Sequence, residues 1–221
     1  RMLVVFRCIP CVACAQLDAE IVERDPQVRK LLDEFVCVRI VHANGMDLSL
    51  FQYDYDQSFA AFFMNPDKTI YGRYGTRSHQ TESANDVSLE GFVAALRAAL
   101  DLHREYPHNK AALAGKQPHE VPPYPVPEEY PPLAGQYEPR IAYEGQVAKS
   151  CIHCHQIGDG QREFHHEQTG TIPPEVLFPY PHPKALGLIL DPKERATVLR
   201  VEPESVAAQA GFKAGDIIQT L

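Results

Sequence analysis

Hydrophobic residues in the first 105 positions form short apolar runs that alternate with stretches of helical spacing. The runs Leu3–Phe6 and Phe35–Val41 are rich in β-branched and aromatic residues, which predicts strands. Between the two runs, apolar residues recur at helical spacing from about Val12, and Asp25-Pro26 predicts the start of a second helix. The chain is therefore expected to begin with a strand, helical segments and a second strand.

A predicted hairpin and a long helix follow. Phe59–Met64 and Thr69–Tyr74 have strand composition, and the Asn-Pro-Asp-Lys sequence between them is of the turn type. A helix is predicted from Leu89, because one face carries Leu89, Phe92, Val93, Leu96 and Leu100. Taken in order, the elements form the pattern β-α-β-α-β-β-α, which predicts an α/β sandwich for residues 1–105.

The hydrophobic pattern breaks in residues 106–140. Eight prolines between Gln117 and Arg140 exclude a regular helix or a central strand. This stretch is predicted to be a semi-rigid linker, or an arm laid across another surface. A small segment follows at 141–183, and a new strand pattern begins at Ala185–Leu190. The predicted parts are therefore 1–105, 106–140, 141–183 and 184–221.

The length and net charge of the chain limit the classes of protein to which it can belong. A chain of 221 residues is long enough for one large domain or two small ones. The net charge of −8 argues against nucleic acid and anionic membranes as partners. No apolar run is long enough to span a bilayer, so no transmembrane segment is expected. The chain opens on Arg1 directly before a strand, from which we expect a mature or trimmed terminus.

The stretch Cys151-Ile152-His153-Cys154-His155 is the strongest chemical motif in the chain. C-x-x-C-H is the attachment pattern of c-type haem, in which two thiols form thioethers with the haem and the histidine binds the iron. A zinc half-site would need a second ligand pair, and no cysteine follows Cys154. A surface disulfide is the other alternative. The motif predicts one covalent haem c, bound through Cys151, Cys154 and His155.

Residues 141–183 thus resemble a minimal monohaem cytochrome c. Many cytochromes of this class use Met as the second iron ligand, but Met2, Met46 and Met64 all precede this segment. The resemblance therefore implies a second histidine, for which His165 and His166 are the distal candidates. The other histidines considered behind them are His103, His108, His119, His153 and His182. The resemblance also implies export to the bacterial periplasm or cell exterior, where c-type haem is attached.

The first part of the chain resembles the thioredoxin superfamily. The resemblance rests on Val4-Val5-Phe6, on Cys11-Val12-Ala13-Cys14 at the entry to a helix, and on the later hairpin and final helix. It implies that Cys11 attacks a disulfide and Cys14 resolves the mixed disulfide, since a helix N-terminus stabilises a thiolate. Cys8-Ile9-Pro10-Cys11 is a rival C-x-x-C.

This part departs from the superfamily pattern at several positions. The stretch Ser58–Phe62 has no proline where the superfamily places a cis-proline, Val5 replaces a buried acid, and Pro10 replaces an aromatic residue. The cysteines near the start could accordingly form a structural disulfide, an active redox pair, or a metal site built with Cys8. Cys37, within an apolar run, is predicted to be a buried small hydrophobe.

The last segment resembles the first part of a PDZ domain. Leu186-Gly187-Leu188 is similar to the carboxylate-binding loop of that family, and the run Val201–Asp216 is similar to its helix and following turn. The resemblance implies a partial PDZ domain, for which peptide binding by strand addition is one expectation. Either the natural protein continues past Leu221, or this half domain serves a structural role.

These patterns support three main hypotheses of function, and a fourth, haem peroxidase-like or sensor chemistry, requires an open position on the iron. The first is an exported monohaem c-type cytochrome that transfers electrons to a protein redox partner, with thioredoxin-like and PDZ-like modules for docking. The second is a thiol–disulfide oxidoreductase that uses Cys11 and Cys14 coupled to the haem. The third is an assembly module of a larger redox complex or a homo-oligomer. The expected fold is an α/β thioredoxin-like sandwich, a Pro-rich linker, a small haem-binding segment and a partial PDZ-like, β-rich segment.

Overall fold

A computed structural model gives the fold and divides the chain into two compact units, residues 1–171 and 172–221. No helix among the described residues is long and apolar enough to cross a membrane. The structure describes residues 1–9, 15, 19, 25–57, 59–76, 89–116, 122–177, 183–191, 194 and 196–218.

A four-stranded mixed sheet forms the centre of the first unit. Its strands, in the spatial order β2-β1-β3-β4, are β1 (Met2–Phe6), β2 (Val36–Ile40), β3 (Phe59–Met64) and β4 (Ile70–Thr76). β1 is parallel to β2 and antiparallel to β3, and β3 is antiparallel to β4. Val4 pairs with Val38 on one side and with Phe62 on the other. The strands predicted at Phe35–Val41, Phe59–Met64 and Thr69–Tyr74 are confirmed within one or two residues.

Two helices cover one face of this sheet. Helix α1 (Pro26–Leu32) begins where predicted, because the Asp25 side chain accepts hydrogen bonds from the first backbone N–H groups and Pro26 lacks the N–H that would stay unpaired there. Helix α2 (Leu89–Glu105) buries its apolar face. The core on this side includes Leu3, Val5, Val28, Phe63, Tyr71, Phe92 and Leu96.

Two predictions for this part need correction. Residues 41–57 form turns rather than the helix expected between the second and third strands, because Gly45 has a positive φ and Asp47 accepts hydrogen bonds from the next backbone N–H groups. Cys37 is exposed rather than buried, since β2 is an edge strand of the sheet with a largely exposed surface. The helix predicted from Val12 lies outside the described residues apart from Ala15 and Ala19.

The opposite face of the sheet is covered by residues 122–171. The described part of the proline-rich stretch contributes a short 3₁₀ turn (Pro127–Glu129), and Tyr130 and Leu133 are buried beside it. Two helices follow, α3 (Val147–Ser150) and α4 (Cys154–Thr169). A second core therefore joins this segment to the sheet through Phe6, Phe62, Ile70, Tyr130, Leu133, Ile152 and Ile157.

The second unit is small and has its own core. It contains helix α5 (Pro174–Leu177), a 3₁₀ turn (Pro183–Leu186), strands β5 (Leu188–Leu190) and β6 (Val198–Val201), and helix α6 (Val206–Gln209). β5 and β6 are antiparallel, and Leu188, Val198 and Ala207 pack between them and α6. Ser205 caps α6 by accepting a hydrogen bond from the backbone N–H of Ala208.

Gly187 should tolerate replacement less well than the other described glycines of the second unit, Gly211 and Gly215. It has φ +86°, and a Cβ atom there would lie 2.1 Å from the Cβ of Ser205. Gly211 has φ +88° but nothing within 4 Å, so it is a matched control for backbone strain alone. We expect Gly187→Ala to destabilise this unit by about 1–3 kcal/mol more than Gly211→Ala, as measured by hydrogen exchange of the β5 and β6 amides. Equal losses in the two variants would contradict the steric argument.

Candidate thiol site

Cys8 lies just beyond the end of β1 and on the same face as the second core. Alternate residues of a strand share a face, and Val4, Phe6 and Cys8 all belong to that core. The backbone stays paired past the strand end, because Arg7 N–H donates to the Ile40 carbonyl at 2.8 Å. The position of the Cys8 sulfur is thus set by the sheet itself.

Asn44, in the turns that follow β2, holds the C-x-x-C-H segment in place through hydrogen bonds. The Asn44 amide donates to the Ser150 and Glu138 carbonyls, each at 2.8 Å, and its oxygen accepts from Ile152 N–H at 2.8 Å. Ala43 N–H donates to the Ile152 carbonyl at 2.9 Å. These bonds fix the segment immediately before α4.

Helix α4 begins at Cys154. His153 is its N-cap residue, and the side chain of Gln156 accepts a hydrogen bond from His153 N–H at 2.8 Å. Ile157, on the first turn, is fully buried in the second core. The Cys154 side chain therefore enters the same core as Cys8.

The two sulfur atoms meet there. Cys8 Sγ lies 3.8 Å from Cys154 Sγ, and the Tyr53 hydroxyl donates to Cys154 Sγ at 3.0 Å. Cys8 and Cys154 are each 8% exposed and Tyr53 is 4% exposed. Because a disulfide bond is about 2.05 Å long, the two sulfurs would need to approach by about 2 Å to form one.

The three buried thiols differ in acidity. The pKa of Cys8 is lowered to about 7, because its sulfur accepts a hydrogen bond from the Cys154 thiol and this outweighs burial. The pKa of Cys154 is raised well above its ordinary value by that same bond and by burial. Burial raises the pKa of Cys151 to about 11. Among these three, Cys8 is the thiol that ionises first.

Only some of the site residues predicted from the sequence lie at this thiol pair. Cys154 is at its centre, and Cys151 is buried nearby, whereas Cys11 and Cys14 lie outside the described residues. His155 is half-exposed, with Nδ1 3.9 Å from Asp56 Oδ1. Sequence reasoning missed Asn44 and Tyr53, and it placed Cys8 only in a rival pair with Cys11 or in a metal site. The alternation of Val4, Phe6 and Cys8 was the available signal for Cys8.

The structure does not bring either predicted distal histidine to His155. His155, His165 and His166 all lie on α4. A helix rises about 1.5 Å per residue, so ten or eleven residues separate these histidines by about 15 Å along the axis. Two ligands on opposite sides of one iron cannot be that far apart while the helix is intact. Two of the further histidines considered, His119 and His182, lie outside the described residues.

The arrangement of the C-x-x-C-H side chains also bears on the predicted haem. Thioether attachment requires both sulfurs at the edge of a porphyrin whose iron faces the imidazole. Here Cys151 is 1% exposed and Cys154 contacts Cys8 and Tyr53, while the His155 side chain is 53% exposed. The sulfurs lie in the core and the imidazole at the surface, so these residues do not fit a porphyrin as they are arranged. Haem attachment stays a prediction from the motif.

The predicted metal site built with Cys8 would need ligands from Cys11 or Cys14, which are not described. Within the described ranges, no group of three or more His, Cys, Asp or Glu side chains could hold a metal ion.

Comparisons with known proteins support the first part of the fold. A family model described as thioredoxin-like matches residues 1–66, so the chain contains a thioredoxin-like domain. That range includes β1, β2, β3 and Cys8. Neither the comparison with curated proteins nor that with solved structures finds a match.

Replacing Asn44 should loosen the C-x-x-C-H segment. Asn44→Ala removes three hydrogen bonds and leaves the buried Ile152 N–H without its acceptor, so we expect a loss of about 3 kcal/mol in the free energy of unfolding. Asn65→Ala is the control, because the Asn65 side chain makes one exposed bond, to Asp67, and should cost under about 1 kcal/mol. Urea denaturation followed by circular dichroism measures both, and equal losses would contradict the role of Asn44.

Proposed function

We propose that this chain is a thiol–disulfide redox protein in which Cys8 and Cys154 alternate between two thiols and one disulfide. The observation that supports the proposal best is the 3.8 Å approach of their sulfur atoms, with Cys8 lying in the range that the thioredoxin-like family model matches. The proposal keeps the thiol chemistry of the second sequence hypothesis but assigns it to a different pair, because the sulfur atoms of Cys8 and Cys154 are in contact.

The exchange proceeds in two steps that conserve electrons. The Cys8 thiolate attacks one sulfur of a partner disulfide, a Cys8 mixed disulfide forms, and the other partner sulfur leaves as a thiolate. Cys154 then loses its proton and attacks the Cys8 sulfur, which forms the Cys8–Cys154 bond and releases the second partner thiolate. The partner gains two electrons and becomes a dithiol, while the protein becomes a disulfide. The reverse sequence oxidises a partner dithiol.

The acidity of the two thiols assigns their roles. An attacking thiol is most effective when its pKa is close to the ambient pH, and the pKa of Cys8 is about 7. Cys154 has a raised pKa and stays protonated until Cys8 has reacted. Because both residues are only 8% exposed, the partner disulfide must be a small molecule or an extended segment.

The proposal includes an exported location, because disulfides persist in oxidising compartments such as the periplasm and the cell exterior. It also includes a protein redox partner and a docking role for the PDZ-like segment. The cytochrome hypothesis is the competing proposal. In it, the Cys154 sulfur forms a thioether with haem instead of a disulfide with Cys8.

Disulfide mapping tests the pair directly. After mild oxidation, peptide mass spectrometry of the native chain should find Cys8 linked to Cys154, since these sulfurs are already close. Cys8→Ser and Cys154→Ser should each abolish that link, whereas Cys37→Ser should leave it intact because Cys37 is exposed on β2. A preparation matured in a haem-attaching host that carried haem on Cys151 and Cys154 would overturn the proposal in favour of the cytochrome hypothesis.

The pH dependence of alkylation tests the role of Cys8. In a Cys11→Ser/Cys14→Ser background, the iodoacetamide reaction rate at Cys8 should rise with pH and reach half its maximum near pH 7. The sign follows from the lowered pKa, since the reactive thiolate then persists down to about pH 7. Cys37 is the internal control. Although the residue is exposed, loss of water around its sulfur and the Asp33 charge raise the pKa of Cys37, so its rate should still be rising above pH 9. A Cys8 midpoint at or above that of Cys37 would contradict the assigned role.

A further inference from the structure

Tyr53 contacts the thiol pair at Cys154, the resolving cysteine of the proposed exchange. Its hydroxyl donates to Cys154 Sγ at 3.0 Å, and Cys154 Sγ in turn lies 3.8 Å from Cys8 Sγ. The Tyr53 hydroxyl donates to Cys154 Sγ, and Cys154 donates in turn to Cys8 when Cys8 is the thiolate, because a thiolate can only accept. Among the described hydrogen bonds, the one from Tyr53 is the only side-chain bond to Cys154 from outside the thiol pair.

The ring of Tyr53 is held rigidly. Ring centroids of Phe6, Tyr55 and Phe62 lie 5.1, 4.8 and 5.7 Å from that of Tyr53. The residue is 4% exposed, so its hydroxyl cannot turn to solvent without opening this cluster. Burial and the neighbouring thiols raise the pKa of Tyr53 well above its ordinary value, which keeps the hydroxyl protonated as a donor while the thiols titrate.

We propose that Tyr53 is a positioning residue that makes Cys154 the leaving sulfur whenever the Cys8–Cys154 disulfide is reduced. This inference rests on the proposed thiol function. An external thiolate attacks the Cys8 sulfur and forms a mixed disulfide with it. The Cys8–Cys154 bond breaks, its electron pair passes to Cys154, and the new Cys154 thiolate accepts the Tyr53 hydrogen bond before it takes a proton from solvent.

Two physical rules support this direction. In thiol–disulfide exchange, the sulfur that carries the more stable thiolate leaves faster. A hydrogen bond to a charged acceptor is stronger than one to a neutral acceptor, so the Tyr53 bond gains strength as negative charge develops on Cys154. Among the described side-chain hydrogen bonds, the one at Cys8 is with the Cys154 thiol, and it is lost when the disulfide forms. The backbone hydrogen bond at Cys154 lowers the pKa of both sulfurs, so Tyr53 is the described side-chain donor that distinguishes them. The site is therefore asymmetric in both redox states, and the mixed disulfide always forms on Cys8.

The variant Tyr53→Phe tests the inference in the full chain. It keeps the ring and its packing and removes only the hydroxyl. We expect reduction of the Cys8–Cys154 disulfide by dithiothreitol at pH 7 to slow by about tenfold, the effect of losing one hydrogen bond to a charged group. Tyr55→Phe is the matched control, because the Tyr55 hydroxyl donates to the Phe51 carbonyl at 3.0 Å rather than to a sulfur. Its rate should stay within about twofold of the unchanged protein.

A second measurement uses the unchanged protein and so does not depend on the folding of a variant. The oxidised chain is treated with excess glutathione, quenched with acid, and digested for peptide mass spectrometry. The glutathione adduct should be on Cys8 and not on Cys154. Adducts on Cys154, or an unchanged reduction rate in Tyr53→Phe, would overturn the role of Tyr53. If no Cys8–Cys154 disulfide forms in the unchanged protein, it is the proposed function that fails, so the two failures are distinguishable.

Discussion

The attachment of residues 150–157 to the second face of the sheet is the constraint on which the candidate site depends. Burial of Ile152 and Ile157 stabilises this contact, since a fully buried side chain of this type is worth about 1.5–3 kcal/mol. Apolar burial has no direction, however, and could tolerate a shift along the sheet. Asn44 removes that freedom, because its hydrogen bonds to Ser150 and Ile152 exist in only one register. The position of Cys154, two residues further on, follows from that register.

Once the segment is fixed, the thiols differ because burial and hydrogen bonding act on them unequally. Cys151 is buried without a donor to its sulfur among the described bonds, so its pKa rises. Cys8 is also buried, yet its pKa falls because the Cys154 thiol donates to it. Tyr53 also donates to Cys154, but the bond between the two thiols and burial outweigh that contribution, so the pKa of Cys154 stays raised. In the proposed thiol chemistry, this difference in acidity makes Cys8 the attacking sulfur and Cys154 the resolving sulfur.

The sequence predicted those parts of the fold whose signals are local. Asp25-Pro26 identified the start of α1, and apolar runs identified β2, β3 and β4. The C-x-x-C-H motif carried no information on which face of α4 it would bury, or on the partner of Cys154, which is 146 residues away in the chain. Helix α4 was also hard to foresee, because Gly158 and Gly160 have low helix propensity. A Cβ at Gly160 would lie 3.1 Å from Leu133, so close packing explains a glycine that local rules disfavour.

Haem attachment and disulfide exchange would both use the same atom of the C-x-x-C-H motif, the sulfur of Cys154. A thioether to haem and a disulfide to Cys8 both require the sulfur of Cys154, so one molecule cannot hold both. The thioether is permanent, whereas the disulfide is reversible and needs only a small approach of two sulfurs already in contact. Folding around Asn44 buries Ile152 and brings the Cys154 sulfur to that of Cys8. A bond formed at Cys154 by one chemistry excludes the other, so the order of folding and haem attachment would decide which chemistry a given molecule retains.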